Sequence, residues 1–474
     1  MNSFDSFLFP ASLDPLMQGA VQERLTLHRA GLLDSLLAKL QDPLAGERIG
    51  GRTRDLQGFI SEILNLSAET HTQIVELVNH WAISFLLARL LADEACNNEF
   101  IDYLTSNLVA LLLGRRLEGS CSSDRDVHFA TTSSCYDLYG DVRIQLPSWI
   151  PARERIIWEF SDTIVMLRVD REEEPFLRLR LPIEVDGPIA LRQLPKVKCW
   201  NIPVIDDIST LGFAEFQPAE GDPRYEDVGD YHPLRLEDSL KDACRILTDL
   251  WPGIVGWGEV LLPAFVDMGG PPSRSVHRSA CYGPGTPIFL TKVSNPFEHA
   301  EDILHELQHQ RLFLLFDTDA FGKWNDTRQR FASPYRPDPR PLRGVHMGLH
   351  AFLAVNRLRL LAANREKPSI EQCYQMLKTH HMNLFAFRTL LEHEDISPCG
   401  RRPFAEYAQE LTLQHEAIES LATVGMSETI DRRLEKHVAS VGASNMPIEN
   451  PSTQYRNWSE TVDLATQYVW NLTK

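Results

Sequence analysis

The chain has 474 residues, 43% hydrophobic and 24% charged, with a net charge of -18 at pH 7. That length exceeds one ordinary core and predicts two or three domains, or one large helical domain carrying an insertion. An acidic balance with no basic stripe to neutralise phosphates excludes a nucleic-acid binder.

The first fifteen residues lack the basic region and continuous apolar core of a signal peptide, and no apolar run has the length of a membrane span. The expectation is a cytoplasmic protein that does not enter membranes. Cys96, Cys121, Cys135, Cys199, Cys244, Cys281, Cys373 and Cys399 are scattered without a Cys-x-x-Cys pair. That is the pattern of reduced thiols, not of a disulfide framework or a zinc ribbon.

From residue 12 to 117 the pattern is helical. Leu25, Leu32, Leu33, Leu36 and Leu37 recur at three- and four-residue steps, a glycine-bounded break follows at 46–51, and Phe59, Ile63 and Leu64 resume the stripe. Residues 1–120 are therefore predicted to be an N-terminal helical region. Between 142 and 194 the texture changes to short strands, in Ile156-Ile157-Trp158, Thr163-Ile164-Val165-Met166-Leu167 and a longer alternating run from Leu177 to Ile183. Ser161-Asp162 and Asp186-Gly187 suit hairpin turns between them, so a β-meander is expected. Its edge could accept an extended peptide through backbone hydrogen bonds. Residues 195–233, dense in Pro, Gly and Asp, predict a long connection, and 121–235 as a whole form a β-rich insertion. Helical periodicity returns over Leu236–Leu250 and stops at Trp251-Pro252-Gly253. Residues 236–474 then form a helical catalytic region. The predicted fold class is mainly α with a β insertion (α+β), not a cupin barrel.

Within that last region, Pro287-Ile288-Phe289-Leu290-Thr291 predicts a short strand and Pro296–Phe316 a helix. Asn295 suits the N-cap, Pro296 the first helical position and Glu298 a capping box. Ala300, Ile303, Leu304, Leu307 and Leu314 form the stripe that buries this helix. Inside it lies His305-Glu306-Leu307-Gln308-His309, the pattern H-E-x-x-H. Residues four apart share a helix face, so both imidazoles can address one metal ion with the Glu306 carboxylate beside them. The alternative is a buried helix whose histidines bond to backbone or carboxylates.

The third ligand decides the enzyme class. Leu312 stands where metzincins need glycine, and no glutamate occurs between Leu307 and Arg365, which disfavours a zinc protease completed by glutamate. A loop of about two dozen residues, long enough to suggest function, leads to a helix over 345–361. That helix carries His346 and His350, again four apart. Asp317 and Asp319 compete with them as ligands.

The run from His305 to Leu312, followed by Asp338-Pro339-Arg340-Pro341-Leu342-Arg343-Gly344 and a helix with Gly348 and Ala351-Phe352, resembles a known family. Trp251-Pro252 and the strand Ile288-Phe289-Leu290 fit it too. The family is the H-E-x-x-H motif proteins from gene clusters for ribosomally synthesised, post-translationally modified peptides, and the resemblance covers residues 251–412. It implies an iron(II) and 2-oxoglutarate-dependent dioxygenase that uses O2 to hydroxylate the β-carbon of a residue in a precursor peptide, the expected partner. It further implies that His305 and His309 hold iron. His350, deeper in its helix than His346, is preferred as the third ligand. Arg340 or Arg343 is expected to grip the distal carboxylate of 2-oxoglutarate with a bidentate fork. Glu306 would be the general base in a zinc peptidase, or would orient a ligand or water in an oxygenase. A zinc metallopeptidase that trims such a peptide and a catalytically silent peptide-binding partner are the alternatives. His380, His381, His393 and His415 are expected to be structural or surface residues.

Overall fold

The computed structural model describes residues 15–41, 236–267, 295–316, 329–393, 400–419 and 424–442, with strands and short segments within 127–205 and 279–293. Among these described residues the protein is mainly helical, with eight helices and thirteen short strands. None of the helices is long and apolar enough to cross a membrane. Residues 42–120, Asp317, Asp319 and the side chain of His393, all of which carry expectations above, lie outside the described residues. Chain contacts divide the protein into two compact units, one of Met1–Met17, Ala243–Leu261 and Pro296–Lys474, the other of Gln18–Asp242 and Leu262–Asn295. Helix α1 spans Pro15–Gln41 and α2 spans Leu236–Leu250.

The second unit holds the strands: β1 (Val127–Ala130), β2 (Ser134–Asp137), β3 (Val142–Gln145), β4 (Arg155–Ser161), β5 (Ile164–Val169), β6 (Leu177–Arg180), β7 (Glu184–Asp186) and β8 (Ala190–Gln193). The expected meander is present as β4-β5-β6-β7, with β1 added beside β4. Ser161 pairs with Ile164, the register of a two-residue hairpin. Two local expectations change. The single strand expected up to Ile183 is two strands, β6 and β7, paired at Arg180 and Glu184, because Pro182 has no N–H to give a ladder. The Asp186-Gly187 hairpin does not form either: β8 leaves β7 and pairs with β3 in a separate sheet. Turn chemistry is local, whereas a strand's partner is chosen by long-range packing.

The connection expected from residue 195 begins instead with two more strands, β9 (Lys196–Val197) and β10 (Ile202–Ile205). Asn201 turns the chain between them at φ 54, a left-handed conformation that asparagine tolerates better than most residues. β10 runs parallel to β11 (Phe265–Asp267), and β11 to β13 (Ile288–Leu290), with β12 (Ser279–Ala280) antiparallel beside β13. Every residue of β11 and β13 is buried, which hides the two-residue alternation that marks a half-exposed strand.

The first unit carries α3 (Ile254–Leu261), α4 (Pro296–Phe316), α5 (Leu342–Ala363), α6 (Ile370–His393), α7 (Arg401–Glu419) and α8 (Val424–Gly442). Helix α4 has the bounds that its apolar stripe predicted, and Ala300, Ile303, Leu304 and Leu307 are fully buried. Helix α5 packs against α4, α6 and α7. Its Val345, Leu349 and Leu353, one turn apart, join Leu312, Phe387, Phe404 and Leu411 in one core. Each such side chain stabilises the fold by about 1.5–3 kcal/mol relative to exposure. Arg359 of α5 clamps Glu301 of α4 through both carboxylate oxygens and donates to Thr379 Oγ1 of α6 at 2.8 Å. That fork sets the rotation of α4 one turn before its first motif histidine.

Candidate metal centre

The helix repeat brings His305 and His309 side by side, ring centroids 4.4 Å apart and nearly perpendicular. Phe352 of α5 closes on His305 edge-on at 4.7 Å. Burial pushes His305 well below its ordinary value, helped by the charges of His309 and Arg336. Burial and then Arg336 bring His309 down to about 4. Both residues are half-buried, yet their imidazoles are packed deeply enough for desolvation to dominate. Both imidazoles are therefore neutral at pH 7, as a metal ligand must be. Glu306 is buried next to them.

His309 Nδ1 is buried and makes no hydrogen bond. An orphaned buried nitrogen is what a metal ion or a trapped water would satisfy. His309 thus has a nitrogen to offer a metal. No three His, Cys, Asp or Glu side chains among the described residues converge on one point, so the pair is not yet a finished ligand set.

His346 and His350 are fully buried on α5, and both touch Tyr407 of α7. Burial lowers His346 to about 3. It lowers His350 well below its usual range, with further contributions from Arg311, His346 and His309. His350 therefore stands near enough to His309 for their charges to interact. Arg311, one turn after Gln308, donates to the Gln308 side-chain oxygen and lies over the Trp257 ring at 4.5 Å.

The two arginines expected to bind a cosubstrate each have a neighbour of their own. Arg340 Nε lies 2.8 Å from Asp338 Oδ2, and Arg343 lies over the Phe313 ring at 5.5 Å. Arg336 is the residue of this segment whose charge reaches both motif histidines. It sits in a hairpin closed by reciprocal backbone bonds between Phe331 and Arg340, 2.8 and 2.9 Å long. The hairpin is seated by Tyr335, which stacks on Phe352 at 4.7 Å and donates its hydroxyl to Asn383 Oδ1 at 2.8 Å. Glycine at 348 makes room for that ring: a Cβ there would meet Tyr335 Cδ2 at 2.4 Å. His437 of α8 donates through Nε2 to the Ser333 carbonyl at 2.7 Å.

No protein-family model and no curated protein matches this chain.

Sequence reasoning passed over Arg336 and Tyr407. Arg336 had one available signal, its place in a loop too long to be a simple connection. Tyr407 had almost none, because Phe404, Tyr407, Ala408 and Leu411 have the spacing of an ordinary buried helix stripe. His380 and His381 are buried and partnered: His380 Nε2 lies 3.2 Å from His415 Nδ1, and His381 Nδ1 lies 2.9 Å from Asp431 Oδ1. They join α6 to α7 and α8.

Proposed function

We propose that this protein is a helical iron(II) and 2-oxoglutarate-dependent oxygenase, not built on a cupin barrel, that hydroxylates the β-carbon of a residue in a ribosomally made precursor peptide. The observation that carries the reading is a pair of neutral imidazoles on one face of α4 with the Arg336 charge bearing on both. Arg336 is exposed on its hairpin, where its fork is open to an anion from solvent. The carboxylates of 2-oxoglutarate supply that anion. The resemblance of residues 251–412 to peptide-modifying H-E-x-x-H proteins supplies the substrate class.

In this reading His305 and His309 would hold the metal, with His350 as the candidate for a third nitrogen. Bound iron(II) supplies the coupling of 2-oxoglutarate decarboxylation to dioxygen activation. The side chains of this chain do the rest. Arg336 binds and orients a carboxylate through its fork. Phe352 and Tyr335 keep water from one side of His305. Glu306 orients a ligand or water from beside the pair.

A zinc peptidase is the competing reading, with Glu306 as base and Arg336 stabilising an oxyanion. It is disfavoured because no glutamate stands between Leu307 and Arg365 to complete its usual ligand set. The test is anaerobic addition of iron(II) and then 2-oxoglutarate to the metal-free protein. The expected result is a visible charge-transfer absorption that needs both, and succinate formation once air is admitted. Tight stoichiometric zinc with peptide cleavage and no response to iron would replace the oxygenase by the peptidase. Peptide binding that ignores metal altogether would leave a silent binding partner.

A further inference from the structure

Ile430 and His437 are two helical turns apart on α8 and so share one face of it. That face is held against the other helices. Ile430 is buried in an apolar cluster with Met376 and Leu377 of α6 and Ile418 of α7. Asp431 stands 2.9 Å from His381 Nδ1, and Arg433 donates to the Tyr374 hydroxyl, both partners again on α6. His437 therefore extends from a fixed helix, and its Nε2 lies 2.7 Å from the Ser333 carbonyl. A carbonyl can only accept, so the ring donates through Nε2–H.

Ser333 passes this anchor on. It is buried, and its Oγ accepts the N–H of Tyr335 at 3.3 Å, so one residue ties α8 to Tyr335 through its carbonyl and its hydroxyl. Tyr335 is where the hairpin meets the candidate site. Its ring stacks on Phe352, which packs edge-on against His305, and its hydroxyl donates to Asn383. Arg336 is the next residue and is exposed. The hairpin thus has two seats, Tyr335 on α5 and α6 and Ser333 on α8. A binding group on a loop keeps its geometry only as far as the residues around it are locked, and anchors on different helices lock what one stacked ring would leave free to turn.

We propose that His437 is a positioning residue that, through Ser333, fixes Tyr335 in its seat beside His305 and so sets the place of Arg336. The inference rests on the reading of Arg336 as a carboxylate-binding residue and extends that site to the last described helix.

Whether the hairpin is held can be read with no metal or cosubstrate present, from hydrogen–deuterium exchange of residues 331–340 in the full-length protein. The amides of Phe331 and Arg340, which bond to each other's carbonyls, report its opening. His437→Ala is expected to speed their exchange by about 2- to 10-fold, the factor that one ordinary hydrogen bond supplies. His437→Gln, whose side-chain amide still donates, should restore most of the protection. With iron(II) added, His437→Ala should raise the 2-oxoglutarate concentration for half-maximal succinate formation by a similar factor. Its iron content and its rate at saturating 2-oxoglutarate should stay those of the parent, and His437→Gln should bring the half-maximal concentration back. Unchanged exchange in His437→Ala, a His437→Gln protein as loose as His437→Ala, or a looser hairpin with the parent's 2-oxoglutarate dependence overturns the inference. If the parent shows no dependence on 2-oxoglutarate, the carboxylate reading of Arg336 fails, and the exchange measurement still decides whether His437 holds the hairpin.

Discussion

Replacing Gly348 by alanine tests whether the hairpin over the histidine pair is seated as described. The added Cβ would lie 2.4 Å from Tyr335 Cδ2 and 2.6 Å from Cε2. Carbon atoms settle at roughly 3.5 Å or more, so the ring must retreat by about 1 Å (3.5 − 2.4). The ring is stacked on Phe352 and tied to Asn383 by a 2.8 Å hydrogen bond, so a shift of that size sacrifices at least one of these contacts. Overpacking costs about 1–3 kcal/mol, and losing the Tyr335–Asn383 bond about 0.5–1.5 kcal/mol more. The expected loss is therefore about 2–4 kcal/mol in urea unfolding followed by tryptophan fluorescence and circular dichroism. Since Arg336 follows Tyr335, the same variant should bind 2-oxoglutarate more weakly while keeping its metal. Tyr335→Ala removes the ring that the new methyl strikes, so the double variant should be more stable than the sum of the single losses implies. A Gly348→Ala protein within about 0.5 kcal/mol of the parent, the usual range for an inconsequential substitution, would refute the seat. Strict additivity in the double variant would refute it as well.

His305→Ala and His309→Ala should each remove bound metal, measured by elemental analysis, while the far-ultraviolet spectrum stays that of the parent. Arg336→Ala should raise the 2-oxoglutarate concentration needed for half-maximal succinate formation by roughly tenfold or more, the loss of a charge-assisted fork worth about 1.5–3 kcal/mol. Arg336→Lys should recover part of it, and Arg340→Ala and Arg343→Ala should change it less. Glu410, only 3% exposed, should make stability depend on pH. Burial raises its carboxyl to about 7, against the weaker opposing pull of Arg357, 3.5 Å away, and of the Gln414 hydrogen bond. The folded protein therefore holds a proton that the unfolded chain releases at its ordinary value of 4.5. This contribution is fully present below pH 4.5 and is lost as pH rises through about 7. At about 1.4 kcal/mol per pH unit it amounts to about 3 kcal/mol, and Glu410→Gln should flatten that part of the profile in urea unfolding at pH 5 and pH 8.

Wherever the information is local, this sequence was enough. The bounds of α4, the run of α2, the buried face Ala300-Ile303-Leu304-Leu307 and the adjacency of His305 and His309 all follow from a 3.6-residue repeat that is written into neighbouring positions. The strands β4 and β5 were legible for the same reason, through two-residue alternation and a short turn. Tertiary structure decided what local rules leave degenerate. Arg336, Arg340 and Arg343 lie within eight residues of one another and are chemically identical. The bridge between Phe331 and Arg340, the stacking of Tyr335 over Gly348 and the Asp338 carboxylate give the three different surroundings, Arg340 beside an acid, Arg343 on the Phe313 ring and Arg336 exposed on the hairpin. Strand partners behaved likewise: β8 joins β3 across more than forty residues of chain, and no turn signal at Asp186-Gly187 could announce that. The bond from Tyr407 to His346 and His350 is the extreme case. A hydroxyl on an apolar helix stripe comes to bridge two buried imidazoles only because α7 packs on α5, a contact made at long range and therefore absent from any spacing along the chain.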